Sequence, residues 1–327
     1  VRAFGYTVAE DPADAVRIAA RTPNSTFIAG GTDLLNLMRD GAEVHDHLVD
    51  VSQLGINRIA LDSRWLRVGG LARMREVAEH SGLRRAFPVV SEALLASASP
   101  QVRNMATIGG NLLQRTRCGY FRDPASPCNK RTPGSGCPAI NGYSRGHAIL
   151  GCSDHCIATH PSDLAVALTA LDAWVRLLGP DGARAVPISD FYLLPGSTPA
   201  KETVMRSEDL ITGVDVPRTS LATHSRYLKL RDRATFEFAV VSVAAALQLR
   251  GGVVQDVRLA FGGIGTRPWR DPRVEAALQG RPLTEAAIDN AGRALVREAR
   301  PYEDNRFKVQ LVQRALASVL SDLGGMR

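Results

Sequence analysis

Apolar positions recur at helical spacing over residues 12–21 and give way at 25–30 to STFIAG, a short β-rich run that ends in a glycine pair. HLVDV at 47–51 predicts a second strand. Between them, AGGTDLLNLMRDG reads as a turn at Gly30 and Gly31 leading into a helix that starts near Leu34, with Thr32 or Asp33 as its cap. ARMREVAEHSGL and FPVVSEALLASAS are amphipathic and predict helices whose apolar faces serve a core. NMATIGGNLLQ at 104–114 then repeats the glycine-turn design. Farther along, Ser162 or Asp163 follows Pro161 at the start of a helix running to about Ala173, AWVRLLG predicts a strand, and PDG turns it into ARAVPI. The last third reads as a separate α+β piece with an antiparallel sheet. EDLITGVDVP, SRYLKLRDR and FAVVSVAAALQLRGGVVQDVRLAFGGIG supply its strands, RGG a hairpin turn, and helices follow from Asp271.

Composition adds scale. With 327 residues, 45% hydrophobic and 22% charged, the chain is long enough for two or three domains with substantial cores. It has no run of 18 apolar residues, and VRAFGYTVAEDPADAVRIAA is amphipathic rather than a secretion segment. No membrane anchoring is expected, and assembly in the cytoplasm is, with export beside a signal-bearing partner left open.

The cysteines change the picture more. All five, Cys118, Cys128, Cys137, Cys152 and Cys156, fall within 39 residues of a Gly/Pro-rich stretch. Thiolates gathered in a loop are costly to bury without a neutraliser, and a metal or iron-sulfur centre is the usual one. Gaps of nine, eight and eighteen residues separate Cys118, Cys128, Cys137 and Cys156, unlike the short knuckles of zinc sites. Zinc, disulfides and inert thiols remain open on spacing alone. Charge follows the same address: residues 101–150 hold Arg103, Arg115, Arg117, Arg122, Lys130, Arg131 and Arg145 against the single acid Asp123, while the whole chain carries +7. A basic surround would stabilise an anionic cluster. No nucleic-acid motif accompanies it, and only Tyr120, Phe121 and Tyr143 offer stacking surfaces, so nucleic acid is not an expected partner.

The glycine turns invite an anion. Backbone N–H groups exposed at such a turn can cradle a phosphate, and the missing side chains let it approach. AGGTD is not GxGxxG, which argues against a Rossmann site, and alone it is as well read as a turn without a ligand. A second loop offering Thr107, Gly109, Gly110 and Asn111 suggests a pyrophosphate held from two sides. Asp163 reads either as an acid in a helix's first turn or as a ribose or adenine contact. His160 reads as a packing histidine, and Lys229, one of only four lysines, as an exposed strand charge or a contact to phosphate or flavin.

In order along the chain, AGGTDLL, ATIGGNLLQ, THPSDLAVALTALDA and KLRDRATFEFAVVSVA resemble the FAD-binding subunits of the xanthine dehydrogenase family of molybdenum hydroxylases, over essentially the whole length. RTRCGYFRD, PCNKR, PGSGC and CIATHPSD are similar to the branch found in bacterial heterotrimeric aldehyde oxidoreductases, whose flavin subunit carries a [4Fe-4S] cluster. The resemblance implies a vanillyl-alcohol-oxidase-like (PCMH-type) FAD-binding fold: an α/β lobe over 1–55, a second over 56–219 with an iron-sulfur insertion at 115–158, and a C-terminal α+β domain over 220–327. It implies that Phe27, Ile28, Ala29, Gly30, Gly31, Thr32, Asp33 and Leu34 wrap the FAD pyrophosphate, closed upon by Thr107, Gly110, Asn111 and Gln114. Asp163 would meet the ribose side, Ile211 would pack near the cofactor, and Lys229 would contact it from the C-terminal domain. Cys118, Cys128, Cys137 and Cys156 would ligate the cluster, with Cys152 a departure that allows a swap with Cys156; Glu237 stands where many relatives carry Asp.

The function so implied is electron transfer. FAD would receive electrons from a molybdenum cofactor in a large subunit, through [2Fe-2S] centres in a small subunit, within a heterotrimer or its dimer, and pass them to an external acceptor. Other molybdenum hydroxylases (xanthine, aromatic heterocycle or acyl-CoA substrates), a stand-alone flavin reductase and a zinc-stabilised interaction protein are the alternatives.

Overall fold

The computed structural model describes residues 2–326. In the N-terminal lobe, β1 (Gly5–Val8), α1 (Pro12–Arg21), β2 (Ser25–Ile28), α2 (Leu34–Asp40) and β3 (His47–Asp50) form a parallel sheet in the order β1-β3-β2. Asp11 caps α1 by accepting from Asp14 N–H, with Pro12 in the first turn where its missing donor costs nothing. The helix lays Ala15 and Val16 against Val49 and Val51.

The second lobe is a five-stranded antiparallel sheet, ordered β4-β5-β8-β6-β7, with helices packed on it. Its elements are β4 (Ile59–Leu61), β5 (Trp65–Gly69), α3 (Met74–Glu79), α4 (Ser81–Ala86), α5 (Pro88–Ala96), α6 (Pro100–Met105), α7 (Ile108–Leu112), α8 (Gly119–Arg122), α9 (Asp163–Ala170), β6 (Trp174–Gly179), β7 (Gly182–Pro187), α10 (Ile188–Phe191) and β8 (Leu210–Pro217). β8 is EDLITGVDVP, assigned from sequence to the last third; its partners β5 and β6 place it at the centre of this earlier sheet instead. α9 stops at Ala170, short of the expected Ala173, because Asp172 turns into the left-handed region at φ 52° and redirects the chain into β6.

After α11 (Ser220–Thr223), the last domain pairs β9 (Ser225–Leu230), β10 (Val241–Arg250) and β11 (Val253–Gly262) antiparallel around central β10. Alternate residues of β10 enter two different cores. Val241, Val243, Ala245 and Leu247 pack against α14 (Phe307–Gly324) in a core it shares with α12 (Pro272–Ala276) and α13 (Glu285–Val296), while Ala244 and Ala246 face the core shared with α5 and α9. This double burial explains the unbroken apolar run in the sequence. No helix among the described residues is long and apolar enough to cross a membrane.

Candidate functional site

The two glycine turns meet. A Cβ on Gly30 would come within 2.1 Å of the Met105 carbonyl, just before the second turn, so only glycine permits the approach; Gly31 sits at φ +65°. The second turn is pinned from behind by Ile108 N–H to Ala72 O at 3.0 Å and Gly109 N–H to Gly70 O at 2.8 Å. Thr107 caps α7 by accepting from Gly110 N–H at 3.2 Å. A helix, α6, precedes this turn rather than the strand a simple repeat of the first would need. Among the described residues, the amides of Gly30, Gly31 and Thr32 have no acceptor within the chain.

A cavity of about 1110 Å³ lies between the turns. Residues 27–34 line it, together with Thr107, Gly110, Asn111, Gln114, Asp163 and Lys229. Ile211 does not: it is buried in β8, its side chain packed behind Gly109, one layer from the cavity wall. Free amides, glycines and this volume suit an elongated, anionic dinucleotide, so the residues present fit FAD.

Asp163 and Lys229 are paired with each other. Lys229 Nζ donates to Asp163 Oδ2 at 2.8 Å and to Ala96 O at 3.1 Å, and Tyr227 OH donates to Asp163 Oδ1 at 2.6 Å. Ser97 Oγ adds a donor at 2.9 Å. Lys229 is thus buried, not the exposed strand charge that sequence favoured, and Ser162, not Asp163, caps α9 through Ala165 N–H. Burial, reinforced by Asp163, holds the Tyr227 hydroxyl well above its usual pKa. Tyr227 and Ser97 were missed in the sequence, where nothing distinguishes a core tyrosine or serine. His160 packs edge-on to Tyr192 with centroids 4.4 Å apart, and burial pushes its pKa down to about 4.

Residues 113–161 leave and re-enter the lobe at a neck closed by Ser162 Oγ donating to Asn111 Oδ1 at 2.6 Å. Within it the cysteines are free thiols. Among the described residues, no three His, Cys, Asp or Glu side chains converge to hold a single metal ion. Burial pushes Cys118 up to about 11 and Cys152 to about 12, and raises Cys137 and Cys156, so bare thiolates are disfavoured here. A negative charge on one thiol would further disfavour ionisation of its neighbours: Cys128 and Cys156 act on Cys118, Cys128 on Cys137, and Cys156 and Cys137 on Cys152. His147 Nε2 lies 3.2 Å from Cys118 Sγ, and Cys152 Sγ donates to Ala148 O at 3.3 Å.

The basic excess expected to surround the cysteines is largely spent on acids from other parts of the chain. Arg115 pairs with Glu43 and Glu202, Arg117 and Arg122 with Asp33, Lys130 with Glu202, and Arg145 with Asp232. Burial works to raise Glu202, but Arg115 and Lys130 outweigh it and hold the carboxyl below its usual range. Arg131 instead ties the segment internally, donating to the carbonyls of Tyr120 at 3.1 Å and Phe121 at 2.5 Å.

Residues 2–219 match the family described as the FAD binding domain in molybdopterin dehydrogenase, and residues 226–323 the CO dehydrogenase flavoprotein C-terminal domain. The aldehyde oxidoreductase FAD-binding subunit PaoB of Escherichia coli is 47% identical over 98% of each chain. The glyceraldehyde dehydrogenase medium chain of Sulfolobus acidocaldarius is 25% identical, covering 93% of this chain and 90% of its own. Among solved structures, a carbon monoxide dehydrogenase chain from Hydrogenophaga pseudoflava superposes with a TM-score of 0.77 at 21% identity, over 98% of this chain and 96% of that one. Quinoline 2-oxidoreductase from Pseudomonas putida gives 0.76 at 20% identity, over 99% and 98%.

Proposed function

The chain belongs to the FAD-binding domain family of molybdopterin dehydrogenases, and on that premise we propose that it is the flavin electron-transfer subunit of a molybdenum-dependent aldehyde oxidoreductase. Its architecture is the two-lobed FAD-binding fold of the vanillyl-alcohol-oxidase type followed by an α+β domain, and as part of the proposal we divide it into lobes at 1–55 and 56–219 and a last domain at 220–327. The observation that carries the reading is the convergence of both glycine turns on one elongated cavity, in a chain 47% identical to an aldehyde oxidoreductase FAD-binding subunit.

When bound, FAD would supply the redox chemistry that links electrons from partner subunits to an external acceptor. The chain's own work is binding and orientation. Residues 27–34 would offer the pyrophosphate the free amides of Gly30, Gly31 and Thr32 from one side, and Thr107, Gly110, Asn111 and Gln114 would close from the other. Asp163 and Lys229 contribute a nearly neutral pair to the wall, Lys229 bringing β9 of the last domain against α9 of the second lobe. No acid-base dyad or nucleophile is required. The partners are a large molybdenum-cofactor subunit and a small [2Fe-2S] subunit.

The cysteine segment holds a [4Fe-4S] cluster through Cys118, Cys128, Cys137 and Cys156. The donor chemistry supports this: four soft sulfur donors are gathered in one segment, and a cubane's ligands sit on separate irons, farther apart than the ligands of one ion. An anaerobic visible spectrum with acid-released flavin, iron and sulfide tests both assignments. One flavin with about four irons and four sulfides per chain is expected; flavin without iron reduces the cysteines to thiols or zinc ligands, and neither cofactor, with partners co-expressed, overturns the reading.

A further inference from the structure

The cysteine segment and the first glycine turn meet on a single carboxylate, and we propose that Asp33 is a positioning residue that couples FAD retention to the integrity of the cysteine segment. The inference rests on the cavity being the FAD site and, in its second half, on the cysteines holding a cluster.

Asp33 occupies the cap position of α2 but makes no capping hydrogen bond, so its carboxylate has no local use. It reaches instead across more than eighty residues of sequence to three donors from the segment. Oδ2 accepts from Arg115 N–H at 2.8 Å, and Oδ1 accepts from Arg122 Nη2 at 2.9 Å and from Arg117 Nη1. These groups are largely shielded from solvent, where such pairs are screened less than at an open surface. Directly behind, Leu37 and Ala42 bury themselves with Phe121 and Cys128, with Cys118 at the edge, so a proposed cluster ligand packs against the helix that leaves the glycine turn. Arg115 continues to Glu43 and Glu202, and Lys130 closes on Glu202, fixing the segment at a second place.

Electrostatics gives the arrangement a direction. Asp33 lines the cavity that would receive a pyrophosphate, and a bare carboxylate there would repel it. Arg117 and Arg122 neutralise Asp33 and turn it towards the segment. If the segment loosens, the turn loses its anchor and gains an unpaired negative charge together. Linkage makes the relation reciprocal, so bound FAD holds the segment in place by the same factor.

The test uses the deflavinated full chain, with whatever partners it purifies with, titrated with FAD. Arg117→Gln/Arg122→Gln should weaken FAD binding about tenfold, within the range of ordinary coupling between sites. Adding Asp33→Asn to that variant should recover much of the loss, because the exposed charge is gone. Additive losses, or unchanged affinity in the double arginine variant, would overturn the proposal, since a merely structural Asp33 predicts no recovery. Asp33→Ala should also purify with less iron than the wild type; unchanged iron alongside weakened FAD binding overturns the coupling to the cluster. Wild-type chain without iron would sink the cluster assignment while leaving the arginine and Asp33 comparison valid, so the two failures are distinguishable. Far-UV circular dichroism on each variant separates loss of binding from loss of fold.

Discussion

Asp163 shows how much one buried residue can carry. Its carboxylate serves Lys229, Tyr227 and Ser97 together, with Lys229 enclosed behind it. Asp163→Ala should therefore cost about 3–5 kcal/mol, because an ammonium is left buried without its partner. Combining it with Lys229→Met should restore most of that in urea unfolding. His160 carries a pH signature. Folded, it takes a proton only near pH 4, whereas in the unfolded chain it does so near 6.5, so its contribution is intact above 6.5 and is lost as pH falls towards 4. His160→Phe should flatten the stability profile across that window in thermal melts. The sequence marked Asp163 and Lys229 as unusual, one by its place after Pro161 and one by the scarcity of lysine. It could not show that they face each other, because the pairing depends on α9 packing against the last sheet, a tertiary contact that periodicity does not encode.

At the scale of elements, the glycine turns were legible because their chemistry is local. A tight approach demands glycine whatever lies around it, and Gly30 marks the approach to Met105 in the sequence. Gly30→Ala should force the two turns apart, storing roughly 1–3 kcal/mol of strain and lowering FAD affinity about tenfold or more in a fluorescence titration, with circular dichroism unchanged. Thr107→Ala should be milder, costing about 1 kcal/mol of cap. β1, β4 and β5 went unread, and length alone does not explain it, since β2 and β3 have four residues each and were read from their apolar runs. β8 was read as a strand but grouped by pattern with the last third, whereas the bounds implied by the resemblance, 56–219, already kept it with its partners β5 and β6.

For the whole molecule, the long insertion is the least regular part and the most dependent on side chains. Its address and its thiols were legible in the sequence, but not that most of its positive charge also docks the segment onto Asp33, Glu43, Glu202 and Asp232. Cys128→Ser, or stripping iron with a chelator and oxidant, should open this region to trypsin at residues such as Arg131 while leaving the frame in large fragments on a denaturing gel; unchanged cleavage would count against a cluster that clamps it. The neck at Asn111 and Ser162 has a consequence for how such a region can change in size. A ring of some fifty residues is closed by the frame itself, and its closure entropy rises only logarithmically, about 0.6 kcal/mol for each doubling. Length inside this pouch is therefore nearly free, and residues could be gained or lost there while the frame that closes it keeps its own stability.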